Sequence, residues 1–309
     1  MIHANTFRRP RTIEEAINAS ALHNGPGRYL AGGTDMLPSL YQSGEDVMLI
    51  DISGIPALKS VGSDATHLRI GALVTLHEIV SNAGIRERFP ALAEAAASIA
   101  TPVVRRTATV GGNLLCENRC IFYNQSEWWR DAIGRCLKCG GDICIASGGK
   151  KACFSELVSD LAPCLIALGA EVTVHGPKGE RTLPLQELYT GDGVKPTILE
   201  TGDLLTTVHV PLGEGRRTVF RKLRQRATME FTSLTTAVSV NAQGGITIAL
   251  GGVDPRPVVV RGTINDDRAA LVKKALKGAR AVENDMLSRN YRRDMILTYL
   301  NESLEQLLP

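Results

Sequence analysis

Outside one short stretch this sequence has no cysteine and no tryptophan. All seven cysteines, at positions 116, 120, 136, 139, 144, 153 and 164 of 309 residues, crowd together with Trp128 and Trp129. Cysteines used merely as small core residues would scatter over every buried segment, so the crowding points to metal ligands or redox groups. An excess of charge of either sign is also lacking. A net charge of +3, evenly spread, excludes an electrostatic nucleic-acid binder. No apolar run reaches the roughly 18 residues of a membrane span, and the opening MIHANTFRRPRT lacks the apolar core of a signal peptide. The chain is therefore expected in a reducing cytoplasm, without structural disulfides, where the Asn-x-Ser sites at Asn18, Asn124 and Asn301 carry no meaning. No GxGxxG, P-loop pattern, internal repeat or low-complexity segment occurs.

What is present is an ordinary globular composition, 44% hydrophobic and 22% charged, in a chain long enough for two domains. Thr12-Ile13-Glu14-Glu15 reads as a capping box for a helix running to about Leu22, before the breakers Asn24 to Gly27. Arg28 to Leu30 reads as a strand that runs into Ala31-Gly32-Gly33-Thr34-Asp35-Met36, with a helix following to Tyr41. Residues 47–51 and 68–70 read as strands, 76–82 and the alanine-rich 91–99 as helices. Residues 171–174 read as a strand entering a hairpin-like turn at 176–179. A boundary is expected near Pro211 to Gly215. Beyond it, 218–223, 235–240 and 247–250 read as antiparallel strands, and 265–308 as helices with leucines at helical spacing.

Two strand-end turns share a composition, Ala31-Gly32-Gly33-Thr34-Asp35 and Thr109-Val110-Gly111-Gly112-Asn113. Consecutive backbone N–H groups in such turns can cradle a pyrophosphate, and glycine lets the backbone come close. Together with SDLAPCLIALGAEV (159–172), FRKLRQRATMEF (220–231), IALGGVDPRP (248–257) and YRRDMILTYL (291–300), these turns carry a resemblance. The chain resembles the FAD-binding medium subunit of the molybdenum hydroxylases, the xanthine and carbon monoxide dehydrogenase family.

The resemblance implies an α+β chain. Residues 1–212 would form the two-subdomain FAD fold shared with vanillyl-alcohol oxidase (PCMH type), and residues 213–309 a CO-dehydrogenase-flavoprotein-like C-terminal domain. It implies that Ala31, Gly32, Gly33, Thr34, Asp35 and Met36, with Thr109, Gly111, Gly112 and Asn113, hold the FAD diphosphate. Asp160 would meet the ribityl or ribose part, and Lys222 would lie near the isoalloxazine, with Thr101 as a further candidate. On their own chemistry Asp160 and Lys222 could equally be a helix cap and a surface lysine.

Family members join GGN to the DLAP-like segment by a short loop, whereas here 46 residues separate Asn113 from Asp160. The extra piece, about 115–156 and including RCIFYNQSEWWR at 119–130, resembles the insertion of the 4-hydroxybenzoyl-CoA reductase FAD subunit. That resemblance implies a 4Fe–4S cluster on Cys120, Cys136, Cys144 and Cys153, whose separations of 16, 8 and 9 residues match. Cys116 and Cys139 are additional thiols, and Cys139 could replace Cys136 as ligand. Cys164, inside LAPCLIAL, is expected to be a buried small residue, and the tryptophan pair is expected to anchor the insertion by packing. A structural zinc on four thiolates is the rival reading, although only Cys136-x-x-Cys139 has knuckle spacing.

The implied function is electron transfer, with no catalytic residue on the chain itself. A molybdopterin-binding large subunit and a 2Fe–2S small subunit would be the partners, in a dimer of heterotrimers. Ferredoxin would donate electrons for reductive dehydroxylation of an aromatic acyl-CoA. A xanthine- or aldehyde-oxidising relative, and a FAD-binding scaffold with a zinc-stapled loop, are the alternatives.

Overall fold

The computed structural model describes residues 6–21, 27–43 and 46–308. Residues 1–5 of the opening stretch, the first helix's end at Leu22 and the breakers 24–26 lie outside them. Within them the chain builds three sheets. The first is parallel, with Met48–Asp51 between Thr6–Arg8 and Gly27–Leu30. Helix Ile13–Ala21 carries the chain between its edge strands. The Thr12 box forms with a shift. Thr12 Oγ1 accepts the Glu15 N–H at 3.1 Å, and the Glu15 carboxylate takes the Arg11 N–H at 2.7 Å.

The second sheet is antiparallel, in the order Val61–Ser63, His67–Gly71, Leu204–Pro211, Glu171–Gly176, Gly179–Pro184. The chain leaves it after Gly71 and returns at Glu171. That excursion holds the helices Leu76–Ser81 and Pro90–Ala97, the second glycine turn, the cysteine segment and helix Leu161–Ala167. Its apolar residues, among them Leu76, Leu92 and Leu161, fuse with Ile70, Val172 and Val208 of the sheet into the largest core.

The third sheet is antiparallel, with Leu234–Val240 and Gly245–Gly251 inside Arg217–Leu223 and Val258–Thr263. Helices Arg268–Gly278 and Arg289–Leu307 pack on it, as do Pro90–Ala97 and Leu161–Ala167 from the earlier part of the chain. Every residue of Leu234–Val240 is buried, as expected of a strand covered on both faces. In the long helix Arg292, Ile296, Leu300, Ser303, Leu304 and Leu307 are buried, a stripe at spacings of three and four. The strand Val258–Thr263 has no counterpart among the elements expected from sequence.

Candidate functional site

The first glycine turn leaves the parallel strand Gly27–Leu30 and enters helix Met36–Ser43. Gly33 has φ +67°, which an L side chain rarely adopts. A Cβ on Gly32 would stand 1.9 Å from the Thr107 carbonyl oxygen, so this turn lies directly on the backbone entering the second turn. Among the described residues no acceptor meets the backbone N–H groups of Gly32, Gly33, Thr34 and Asp35. Four neighbouring donors without a protein partner, beside a left-handed glycine, form an anion nest. They fit the diphosphate of FAD. The Asp35 carboxylate turns the other way, accepting the Glu117 N–H at 2.9 Å and pairing with Arg119 of the cysteine segment.

The second turn is spent internally. Thr109 Oγ1 accepts the Gly112 N–H at 3.1 Å, as N-cap of Val110–Leu114. The N–H groups of Val110, Gly111 and Asn113 donate to the carbonyls of Val74, Ala72 and Thr109. Among the described residues four of this turn's five N–H groups, all but that of Thr109, are therefore used within the chain, a distinction its sequence does not carry. Asn113 Oδ1 accepts from the Ser159 hydroxyl at 2.8 Å and the Leu161 N–H at 3.3 Å, pinning residues 159–161 beside it. Thr101 is likewise an N-cap, its Oγ1 taking the Val104 N–H at 3.3 Å.

Asp160 and Lys222 meet each other. Lys222 Nζ lies 2.6 Å from Asp160 Oδ2, and both side chains are 4% exposed. Neither plain alternative survives, since Asp160 makes no side-chain cap bond and the lysine is not on the surface. The ammonium donates also to the Ser98 and Glu230 carbonyls, and Thr235 Oγ1 donates to Asp160 Oδ1 at 2.8 Å. Burial raises the Asp160 pKa while Lys222 opposes it. Ser98 and Thr235 carry no sequence signal of their own.

Cys120, Cys136, Cys144 and Cys153 line one small pocket, alongside Phe122, Leu137 and Ile145. Cys116, Cys139 and Cys164 are not in its wall. Cys139 instead lies 3.6 Å, sulfur to sulfur, from Cys136, and Cys164 is fully buried in the main core as expected. Burial lifts the Cys120 thiol to about 11 and raises Cys136 and Cys153, with the Ser155 hydroxyl and amide opposing it at Cys153. Among the described residues no group of three His, Cys, Asp or Glu side chains stands ready to hold a metal ion. Four thiolates about a single zinc would be only ~3.8 Å apart, from Zn–S bonds of ~2.3 Å. The pocket wall offers four thiols, soft donors of the kind an iron–sulfur cluster takes, beside the Ser155 and Tyr123 side chains.

The cysteine segment is tied down at its base. Asn118 Nδ2 donates to the Ser155 and Pro255 carbonyls, and Asn284 Nδ2 to the Phe154 carbonyl. The buried Glu156 carboxyl accepts from Arg292 Nη1 at 2.5 Å. Lys138, between Cys136 and Cys139, pairs with Glu117 at 3.1 Å and stands 4.3 Å over the Tyr123 ring. The expectation that both tryptophans anchor the segment is corrected for Trp128, which is 77% exposed. Helix Glu127–Ile133 turns its ring outward while Arg130 and Lys138 pack on Tyr123.

Residues 3–213 match the family described as the FAD binding domain in molybdopterin dehydrogenase. The chain belongs to this family. One relative in sequence is the aldehyde oxidoreductase FAD-binding subunit of Escherichia coli (strain K12), 32% identical over 271 residues, covering 82% of this chain and 83% of that one. The carbon monoxide dehydrogenase medium chain of Hydrogenophaga pseudoflava is 27% identical over 255 residues, covering 81% and 75%. A solved structure of carbon monoxide dehydrogenase from Hydrogenophaga pseudoflava superposes with a TM-score of 0.74 at 24% identity, over 97% of this chain and 96% of that chain. The α+β fold expected from the sequence is thus the family's fold. No helix among the described residues is long and apolar enough to cross a membrane.

Proposed function

We propose that this chain is the flavin-bearing electron-transfer subunit of a molybdenum hydroxylase-type complex. FAD would lie across the two glycine turns, and a 4Fe–4S cluster on Cys120, Cys136, Cys144 and Cys153. The observation that carries the reading is the first turn, whose four N–H groups meet no acceptor among the described residues and lie against the second turn at the Gly32–Thr107 contact. FAD, when bound, supplies exchange of one or two electrons. The chain's residues bind and orient. Gly32 to Asp35 donate to phosphate, Asn113 holds residues 159–161, and Asp160 fixes the Lys222 ammonium at the ring side with its charge balanced. The cluster is supported by four thiols sharing one pocket whose wall contains no carboxylate or imidazole.

In this reading residues 1–212 are the FAD domain and 213–309 the C-terminal domain. A molybdopterin-binding large subunit and a 2Fe–2S small subunit complete a heterotrimer that pairs with itself, in the cytoplasm. The 4-hydroxybenzoyl-CoA reductase reading, with ferredoxin as donor, rests on the insertion. The basic excess of that insertion is largely used up inside the chain. Arg119 pairs with Asp35, Lys138 with Glu117 and Arg135 with Asp131, leaving Lys150 and Lys151 exposed to steer an acidic donor. A second reading, aldehyde oxidation, is favoured by the 32% identity to the Escherichia coli aldehyde oxidoreductase subunit.

The test is to purify the intact complex, determine flavin, iron and sulfide, and assay 4-hydroxybenzoyl-CoA, xanthine and aromatic aldehydes side by side. Turnover of the acyl-CoA with reduced ferredoxin supports the first reading, and aldehyde turnover alone replaces it with the second. A chain with zinc in place of iron would reduce the cysteine segment to a structural staple.

A further inference from the structure

We propose that Ser155 tunes the reduction potential of the cluster by holding its hydroxyl on the sulfur of Cys153. This rests on the reading of Cys153 as a cluster ligand. Ser155 is 0% exposed. Its N–H donates to Cys153 Sγ at 3.4 Å, and its hydroxyl oxygen lies 3.3 Å from the same sulfur. In the free thiol the S–H donates to the hydroxyl. A ligated sulfur has lost that proton, so the hydroxyl, free to rotate about its C–O bond, becomes the donor. Among the described residues the hydroxyl meets no other partner.

The hydroxyl is held where it is. A Cβ on Gly193 would stand 1.9 Å from Ser155 Oγ and 3.0 Å from Cys153 Sγ, so only a glycine leaves room for this contact. The Gly193 N–H donates to the Cys153 carbonyl at 2.9 Å, and Asp192 Oδ1 accepts the Cys153 N–H at 3.0 Å. On the other side the Ser155 carbonyl accepts from Asn118 Nδ2 at 2.9 Å. Both ends of the Cys153–Ser155 turn are therefore fixed by elements outside it.

The physical consequence follows from charge. One-electron reduction adds one negative charge to the cluster and its thiolates, and neither makes nor breaks a bond. Hydrogen bonds to the sulfurs favour the more negative form and raise the potential. Ser155 supplies two such donors to one sulfur, of which only the hydroxyl is removed by substitution.

The experiment is a redox titration of the intact complex, with dithionite as the electron source and electron paramagnetic resonance as readout, on wild type, Ser155→Ala and Ser155→Thr. The alanine variant is expected to hold less reduced cluster at a given solution potential, by about tenfold in ratio, which is a midpoint about 59 mV lower for one electron. The threonine variant, which keeps the hydroxyl, is expected to stay near wild type. An alanine midpoint equal to wild type, or a threonine midpoint shifted as far as alanine's, would overturn the proposal. Should the alanine variant hold no cluster, resonance Raman of the wild type in H2O and D2O decides. An Fe–S(Cys) stretch that moves on exchange supports the donors, and one that does not overturns them. A wild-type complex without any 4Fe–4S signal overturns the parent reading together with this one, before Ser155 is touched.

Discussion

Asp160 and Lys222 form a buried ion pair, Oδ2 to Nζ 2.6 Å, joining the start of helix Leu161–Ala167 to the strand Arg217–Leu223. Two residues expected to serve different ends of the flavin thus belong to one unit, with Thr235 and the Ser98 carbonyl completing its hydrogen bonds.

Breaking that pair from one side strands a charge in the core. Lys222→Met is expected to destabilise the chain by about 3–5 kcal/mol. Lys222→Met combined with Asp160→Asn should recover part of that loss, because no uncompensated carboxylate remains. Denaturant unfolding of both variants checks this, and a Lys222→Met protein as stable as wild type would rule out the pair as a structural element. Flavin content measured on the same samples tells whether the pair also serves FAD.

The two turns differ in what a methyl group would meet. At Gly32 a Cβ collides with the rigid Thr107 backbone at 1.9 Å, whereas at Gly112 the nearest atom is the Thr109 hydroxyl at 3.0 Å, a side chain that can yield. Gly32→Ala should therefore weaken FAD retention by at least about tenfold, or ~1.4 kcal/mol. Gly112→Ala should weaken it less. Flavin fluorescence on dialysis gives both numbers, and the reverse order would contradict the nest assignment.

The cysteines divide by the pocket they face. Serine at Cys120, Cys136, Cys144 or Cys153 is expected to lower iron and sulfide content, while Cys139→Ser and Cys164→Ala keep it. If Cys139→Ser loses the iron and Cys136→Ser retains it, the ligand is Cys139.

Glu156 links the cysteine segment to the long C-terminal helix through Arg292, and it is nearly inaccessible. Burial lifts its carboxyl from the ordinary 4.5 to about 8, with Arg292 opposing. A carboxyl raised in the folded state holds a proton that the unfolded chain has released. Its contribution to stability is therefore greatest at low pH and is lost as pH rises through that window, by up to about one proton. Thermal unfolding of wild type and Glu156→Gln at pH 5, 6.5 and 8 should show the wild type losing stability over this range relative to the variant. Parallel curves for the two proteins would exclude this group as the source.

Much of the molecule is written locally. The Thr12 cap, the left-handed Gly33, the leucine stripe of the last helix and the antiparallel strands after residue 217 follow from backbone geometry and side-chain period, which a few neighbouring residues determine. The crowding of seven cysteines is equally a property of the chain alone. Tertiary structure decided everything that depends on what comes back to meet what. Asp160 finds Lys222 across 62 positions, and Glu156 finds Arg292 across 136. Two turns of like composition part ways because Ala72 and Val74 take two N–H groups of one, and among the described residues no acceptor reaches Gly32 to Asp35 of the other. Four cysteines share a pocket from which Cys139, three residues from Cys136, is left out. Trp128, apolar enough to suggest an anchor, points to solvent, while Arg130 and Lys138 stand over the Tyr123 ring. Local rules act through neighbours in sequence, whereas donors, charges and thiols are satisfied by whichever atoms the closed chain brings within reach.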